Sequence, residues 1–182
     1  MSRLRPLSKA EAAPELQPIL EQVERTFGVV HAGTGIFAYC PPILAASNGL
    51  GRAIVQSGTV PPLLRAMVSL RVAQLAGCPF RMDSLAAACR DAGATDETIA
   101  AVAGFQNSDR FSAAEMAALH LAQAMTATPV DVSDLVFAEA RRHFSDPQLV
   151  ELAATIAAEN YRVRFNRAFG VESLGLYEGG RV

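Results

Sequence analysis

The sequence has little positive charge and no long apolar run, and these two absences exclude two large classes of function. Its 182 residues contain 16 Lys and Arg against 18 Asp and Glu, and the cations are scattered along the chain. Because phosphate neutralisation requires a basic stripe, we expect no nucleic-acid partner. No stretch approaches the ~20 apolar residues of a transmembrane helix, so we expect no membrane partner.

Cysteines are few, and their number is odd. The chain has three, Cys40, Cys78 and Cys89, and its first 16 residues contain no apolar core of signal-peptide length. Structural disulfide frameworks belong to secreted proteins with paired cysteines. We therefore expect reduced thiols in a cytoplasmic protein.

Sustained period-2 alternation, which is typical of β-strands, is also missing, whereas apolar residues recur at helical spacing between Pro, Gly and capping residues. This pattern predicts an all-α fold of about seven or eight helices, and the length fits a single domain over residues 1–182. The predicted helices cover about 14–27, 41–56, 62–76, 78–90 and 96–103, with later ones starting near 113, 134 and 146 and the last ending near 169.

Two of the later helix starts carry the same local signal. Ser112 and Ser145 are each followed three residues later by a Glu or Gln, and each is preceded by a Phe. This pattern is a capping box combined with a hydrophobic staple. These are the best-marked helix boundaries in the sequence.

Cys78 is the first candidate for chemistry. It follows Gly77 at the start of a helix, where unpaired backbone N–H groups and the helix dipole favour a thiolate. Arg81 lies on the same helix face and adds a second stabilising charge. Cys89 lies on that face too, but eleven residues along a helix separate the two by ~16 Å, too far for a disulfide. The competing interpretation is that Cys78 is a small apolar residue between packed helices.

Two further groups of polar residues stand out. Asn160, Arg164 and Arg167 share a helix face and could bind a carboxylate, although cations near a helix end also simply complement the dipole. His120 lies in an apolar helix and is a candidate acid or base, or a hydrogen-bonded core histidine. No two histidines have metal-ligand spacing, so we expect no metal site.

Three segments together point to a known superfamily: LRVAQLAGCPFRMDSLAAACRDAG, FSAAEMAALHLAQAMTATPVDVSD and HFSDPQLVELAATIAAENYRVRFNRAFGV. In helix order and in the run leading into Gly77-Cys78-Pro79, the chain resembles the alkyl hydroperoxidase D and carboxymuconolactone decarboxylase superfamily. The likeness covers a core of about residues 14–171. It implies an AhpD-like helical domain that assembles as a homo-oligomer, a trimer or hexamer.

The resemblance also implies which residues would do the chemistry. The peroxidase branch of that superfamily has a Glu, a Cys-x-x-Cys pair and a His in the positions held here by Ala66, Cys78, Arg81 and Leu85. Only the first cysteine is present, although Asp83 beside it is kept. Without the second thiol and its proton relay, we expect no two-cysteine peroxide reduction.

Three functions compatible with these residues remain open. In the first, the protein binds or transforms a small organic acid or lactone without redox chemistry or a cofactor, with Arg81 as the anion anchor and Asp83 nearby. In the second, Cys78 acts as a one-cysteine thiol peroxidase through a sulfenic acid. In the third, the protein is a non-catalytic oligomer that binds or scaffolds.

Overall fold

The computed structural model describes residues 2–178 and forms nine α-helices and no strand within that range. The all-α class is therefore confirmed. The helices are α1 Gln17–Phe27, α2 Ala32–Phe37, α3 Pro41–Ser57, α4 Pro62–Leu75, α5 Pro79–Asp91, α6 Asp96–Ala101, α7 Ala113–Thr126, α8 Asp134–His143 and α9 Asp146–Phe169. Two 3-10 segments, Pro14–Leu16 and Val102–Asn107, precede α1 and follow α6.

The predicted helix boundaries agree with the observed ones where the local signals are strong. At the start of α7, the Glu115 backbone N–H donates to Ser112 Oγ at 3.3 Å, and the Ser112 N–H donates to the Glu115 carboxylate at 2.8 Å. At the start of α9, the Ser145 N–H donates to Gln148 Oε1 at 2.9 Å. Both helices start at the predicted residues because these contacts lie within four residues of chain.

Helix α2 is the element that the sequence does not predict, since residues 31–35 read as a glycine-containing loop. His31 caps it, its Nδ1 accepting from the Thr34 backbone N–H at 3.3 Å. A contact from a distant part of the chain also stabilises α2: the Leu7 N–H donates to the Gly35 carbonyl at 3.0 Å. A Cβ at Gly35 would lie 2.6 Å from the Leu7 carbonyl oxygen, so only glycine allows this approach.

Helix α4 is the centre of the fold. Eight of its 14 residues are buried, and it packs against α5, α7 and α9. A helix that is apolar on nearly every side requires neighbours on every side. Leu70, Val68 and Val72 are fully buried, and each such side chain contributes about 1.5–3 kcal/mol to folding. This rigid centre fixes the positions of α5 and α9, which carry the polar residues described below.

None of the helices described between residues 2 and 178 is both long and apolar enough to cross a bilayer.

Candidate functional site

A cavity of about 590 Å³, called the large cavity below, lies between α1, α2, α3, α5 and α9. Most of its wall is apolar. Its aromatic side chains are Phe27, His31, Phe37 and Phe80. An apolar cavity of this size with a few converging polar groups is the usual form of a small-molecule site.

Three of these rings, those of Phe27, His31 and Phe80, contact one another. The His31 and Phe80 ring centroids lie 4.3 Å apart, with the planes tilted by 37°. Phe27 meets the His31 ring edge to face, with centroids 5.2 Å apart. Rings that contact in this way hold one another in place and present a rigid surface to a flat ligand.

His31 is held in its neutral form. Burial lowers the pKa of His31 to about 4, and the positive charge of Arg81 acts in the same direction. Since Nδ1 accepts a hydrogen bond from the Thr34 backbone N–H, the neutral ring carries its proton on Nε2, which lies 3.0 Å from Thr34 Oγ1. The imidazole therefore serves as a helix cap and an aromatic surface at neutral pH.

Arg81 reaches from α5 to Glu159 on α9 and forms a two-point ion pair. Its Nε lies 2.7 Å from Glu159 Oε1 and its Nη2 lies 2.9 Å from Oε2. The Glu159 side chain is only 1% exposed. Burial alone lowers the pKa of Arg81, but the Glu159 charge and hydrogen bonds outweigh this effect and raise it. Arg81 therefore stays charged in the interior.

Arg162 places a second guanidinium on the same carboxylate. Its Nη1 lies 3.7 Å from Glu159 Oε2, and its side chain is 28% exposed. Burial lowers the pKa of Arg162, Glu159 partly offsets this, and the like charge of Arg81 adds to the lowering. Two cations thus share one anion at the cavity wall, which leaves a net positive charge there.

Cys78 caps α5 and is fully buried. The Arg81 backbone N–H, the Arg81 charge and the Asn166 side chain all act to lower the pKa of this thiol, and both residues line the cavity. Burial nevertheless raises the pKa of the Cys78 thiol, and Glu159 raises it further, against the lowering by Arg81 and Asn166. The predicted thiolate-favouring effect of Arg81 is present, but burial outweighs it.

Neither of the other two cysteines lines the large cavity. All three cysteines are free thiols. Cys89 is buried further along α5, and burial raises its pKa to about 12. Cys40 is exposed at the start of α3.

Asp83 faces the C-terminal segment that follows α9. Its carboxylate accepts from Ser173 Oγ at 2.8 Å and from the backbone N–H groups of Leu174 at 3.0 Å and Tyr177 at 2.8 Å. Burial raises the pKa of this carboxyl, but these hydrogen bonds outweigh it and lower the pKa. The observed partners of Asp83 are thus groups of the protein itself.

The predicted anion-binding group on α9 lies at a different cavity. Arg164 and Arg167 line a pocket of about 490 Å³ together with Thr126 at the end of α7. Asn160 donates to Thr126 Oγ1 at 3.0 Å and accepts from Arg164. The structure therefore separates these three residues from Cys78 and Arg81.

His120 is also outside the large cavity. It is partly buried on α7, and its ring meets Phe105 edge to face, with centroids 4.8 Å apart. Of the predicted site residues, only Arg81 lines the large cavity, and Cys78 is buried beside it. Across residues 2–178, no three His, Cys, Asp or Glu side chains cluster in a way that would hold a metal ion.

Sequence reasoning did not identify three residues of this site: His31, Glu159 and Arg162. Glu159 carries the strongest signal in retrospect, since a carboxylate after the run AATIAA on a buried helix requires a charged partner. Its pairing with Arg81 is 78 positions away in the chain, and no local pattern encodes that contact.

The chain is similar in sequence to one protein family and to two known bacterial proteins. The model of the carboxymuconolactone decarboxylase family matches residues 41–124. The uncharacterized protein YnjA of Escherichia coli (strain K12) is 34% identical over 115 residues, which is 63% of this chain and 63% of YnjA, so less than two thirds of that relative is matched. The uncharacterized protein YdfG of Bacillus subtilis (strain 168) is 31% identical over 107 residues, or 58% of this chain and 73% of YdfG.

Solved structures share the fold. A cysteine-to-alanine variant of the debrominase Bmp8, in complex with 2,3,4-tribromopyrrole, has a TM-score of 0.86 at 24% identity and covers 97% of this chain and 94% of its own. An AhpD-core, peroxidase-related protein of Ralstonia eutropha JMP134 has a TM-score of 0.83 at 19% identity, covering 94% and 92%. At these identities the likeness establishes the architecture.

Proposed function

The chain belongs to the carboxymuconolactone decarboxylase family and has the AhpD-like helical fold, and from that premise we propose that it binds a small aromatic carboxylic acid or lactone without thiol redox chemistry. The observation that carries this proposal is the charge balance at the large cavity. Arg81 and Arg162 share the single buried carboxylate of Glu159.

The excess positive charge favours an anionic ligand. Arg81 directs Nε and Nη2 at Glu159, whereas Arg162 approaches it with Nη1 at 3.7 Å. A guanidinium with donors to spare in a partly dehydrated cavity binds carboxylates at two points. Arg162, rather than Arg81, is therefore the anion anchor of this proposal.

The cavity wall favours an aromatic body on that anion. Phe27, His31, Phe37 and Phe80 line a volume of about 590 Å³, enough for one small ring system. The neutral His31 ring adds apolar contact area without adding charge. The tribromopyrrole complex of Bmp8 indicates that a protein of this fold accommodates a small flat ring.

The thiols support the non-redox part of the proposal. Cys78 is buried with a raised pKa, so little of it is thiolate, the form that attacks peroxides. Cys89 lies eleven residues further along the same helix, ~16 Å away by helical rise. A disulfide between the two would need Cα atoms within ~7 Å.

Calorimetry with phenylacetate and phenylacetamide tests the proposal, because the two ligands share a ring and differ in charge. We expect phenylacetate to bind at least tenfold more tightly, and Arg162→Gln to remove that preference. The control is Arg142→Gln, a surface arginine of α8 that pairs with Glu139. Equal affinity for acid and amide, or no binding of either, would contradict the proposal.

A second candidate is a one-cysteine thiol peroxidase. The observation that favours it is the position of Cys78 at the N-terminus of α5, where Arg81 and Asn166 act to lower the pKa of its thiol and so stabilise an anionic sulfur. In that reaction the thiolate attacks a hydroperoxide, giving a sulfenic acid and an alcohol. One external thiol then condenses with the sulfenic acid to a mixed disulfide with release of water, and a second external thiol displaces Cys78 as the free thiol, leaving the disulfide of the two external thiols.

A sulfenic-acid trap followed by mass spectrometry separates the two candidates. After brief treatment with cumene hydroperoxide, we expect the adduct on the exposed Cys40 before it appears on Cys78. Rapid, stoichiometric trapping at Cys78 that is lost in Cys78→Ser would instead support the peroxidase.

A further inference from the structure

A second cavity of about 260 Å³ adjoins the large one. It lies among α3, α4, α5 and α9, and its deep wall includes Ala66, Ser69 and Leu85. Since water occupies roughly 30 Å³ per molecule, the space holds about eight groups of that size. Of the charged and aromatic residues that the proposed function uses, only Arg162 lines this cavity.

The two cavities share a wall. Gly51, Val55 and Arg162 line both of them. The Arg162 guanidinium lies directly against the α3 backbone, since a Cβ on Gly51 would be 2.6 Å from Nη2. An anion bound to Arg162 therefore has the aromatic cavity on one side and the smaller cavity on the other.

The chemistry of the smaller cavity favours an apolar occupant. Ala66 and Leu85 contribute only hydrocarbon. Two of its polar side chains are already engaged: Arg65 Nη1 lies 2.9 Å from Glu151 Oε1, and Thr155 Oγ1 donates to the Glu151 carbonyl at 2.7 Å. Ser69 adds one hydroxyl to the wall, so a hydrocarbon chain would meet mostly apolar surface and a single small polar group.

We propose that the smaller cavity is a subsite for an alkyl branch on the carbon next to the ligand's carboxylate. This inference rests on the proposed function and specifies its substrate class: arylacetic acids with a short α-alkyl chain. The ring lies against Phe80 and His31, the carboxylate binds Arg162, and the alkyl chain extends past Gly51 toward Ala66. Because the two cavities lie on fixed sides of Arg162, only one enantiomer places both groups correctly.

A series of α-substituted phenylacetates tests the subsite on the unaltered protein. Calorimetry would compare phenylacetate with the separated enantiomers of its α-methyl, α-ethyl and α-propyl derivatives. We expect one enantiomeric series to gain about fourfold in affinity for each buried methylene, and the other series to gain little. If phenylacetate binds but the affinity of neither enantiomeric series rises with chain length, the subsite is overturned while the proposed function stands. If phenylacetate does not bind, both fail.

A variant that fills the cavity identifies where the chain goes. Ala66→Leu should leave the affinity for phenylacetate unchanged and abolish the gain in affinity that the α-propyl group gives over phenylacetate. Ala138→Leu, the same substitution at an exposed position of α8, should retain the gain. Thermal melts of both variants establish that they are folded, and the enantiomer preference of the unaltered protein stands as evidence if Ala66→Leu does not fold. A gain that persists in folded Ala66→Leu overturns the assignment.

Discussion

Arg81 and Glu159 are joined at two points, with Nε–Oε1 at 2.7 Å and Nη2–Oε2 at 2.9 Å, in an interior where the glutamate side chain is almost inaccessible. The pair links α5 to α9 beneath the large cavity. Desolvating two charges is costly, and close two-point geometry is the condition under which attraction offsets that cost. Arg162 makes the arrangement asymmetric, because it gives Glu159 a second cation.

This asymmetry predicts unequal costs for the two halves of the pair. Glu159→Gln should lower the free energy of unfolding by about 3–5 kcal/mol, because it leaves two guanidiniums near one another without a counter-charge. Arg81→Gln should cost less, since Arg162 remains 3.7 Å from the carboxylate. Urea denaturation measures both. Glu139→Gln is the surface control, and its exposed ion pairs contribute at most about 1 kcal/mol. Equal losses in the two buried variants would contradict this account of Arg162.

The sequence predicts the helical class and most helix boundaries because the deciding contacts are local. Ser112 with Glu115 and Ser145 with Gln148 each close a box over three residues. The short helix α2 is missed because its stability comes from contacts with residues far from it in the chain. Its cap is a histidine rather than a serine or aspartate, and Gly35 allows the close approach of Leu7.

The site is less predictable than the fold for the same reason. The position of Cys78 at a helix start is local, and the structure has it there. Burial of its sulfur and the pairing of Arg81 with Glu159 depend on how α5 and α9 pack. A helix wheel places Asn160, Arg164 and Arg167 together, but it carries no information about which cavity that face borders.

His31 predicts an acid-dependent loss of stability. Burial lowers its pKa from 6.5 to about 4, so between those values the unfolded chain binds a proton that the native state excludes. The His31 contribution is therefore complete above about pH 6.5 and declines as the pH falls towards 4, by at most about 3 kcal/mol. Protonation would also remove the Nδ1 acceptor that caps α2.

Comparing His31→Gln with the unaltered protein separates the pH-dependent contribution of His31 from that of the carboxylates that also titrate in acid. We expect the difference in unfolding free energy between the two proteins to shrink between pH 7 and pH 4.5 in urea titrations. If the plots of unfolding free energy against pH for the two proteins stay parallel across this interval, His31 does not couple folding to proton binding.

Asp83 predicts a structural effect at the C-terminal segment. Asp83→Ala removes the acceptor for Ser173, Leu174 and Tyr177, so residues 173–177 should detach from α5. Limited proteolysis should cut this segment faster than in the unaltered protein, by roughly tenfold if one or two hydrogen bonds to a charged group are lost. Phenylacetate affinity should not change. A loss of affinity with an intact segment would instead support the substrate-binding role that the sequence suggests for Asp83.

Two glycines of α3 provide a matched pair of substitutions at the anion anchor. A Cβ at Gly49 meets nothing within 4 Å, whereas a Cβ at Gly51 would lie 2.6 Å from Arg162 Nη2. Gly49→Ala should therefore raise the free energy of unfolding by about 0.5–1 kcal/mol, as expected for glycine replaced in a helix interior. Gly51→Ala gains the same helix stability, but it displaces a flexible guanidinium that can move, so its net effect on stability should be small.

The two variants should differ in ligand binding. If Arg162 must lie against Gly51 to hold a carboxylate, Gly51→Ala weakens phenylacetate binding at least tenfold while Gly49→Ala leaves it unchanged, and identical affinities in the two variants would contradict the assignment of Arg162 as the anchor.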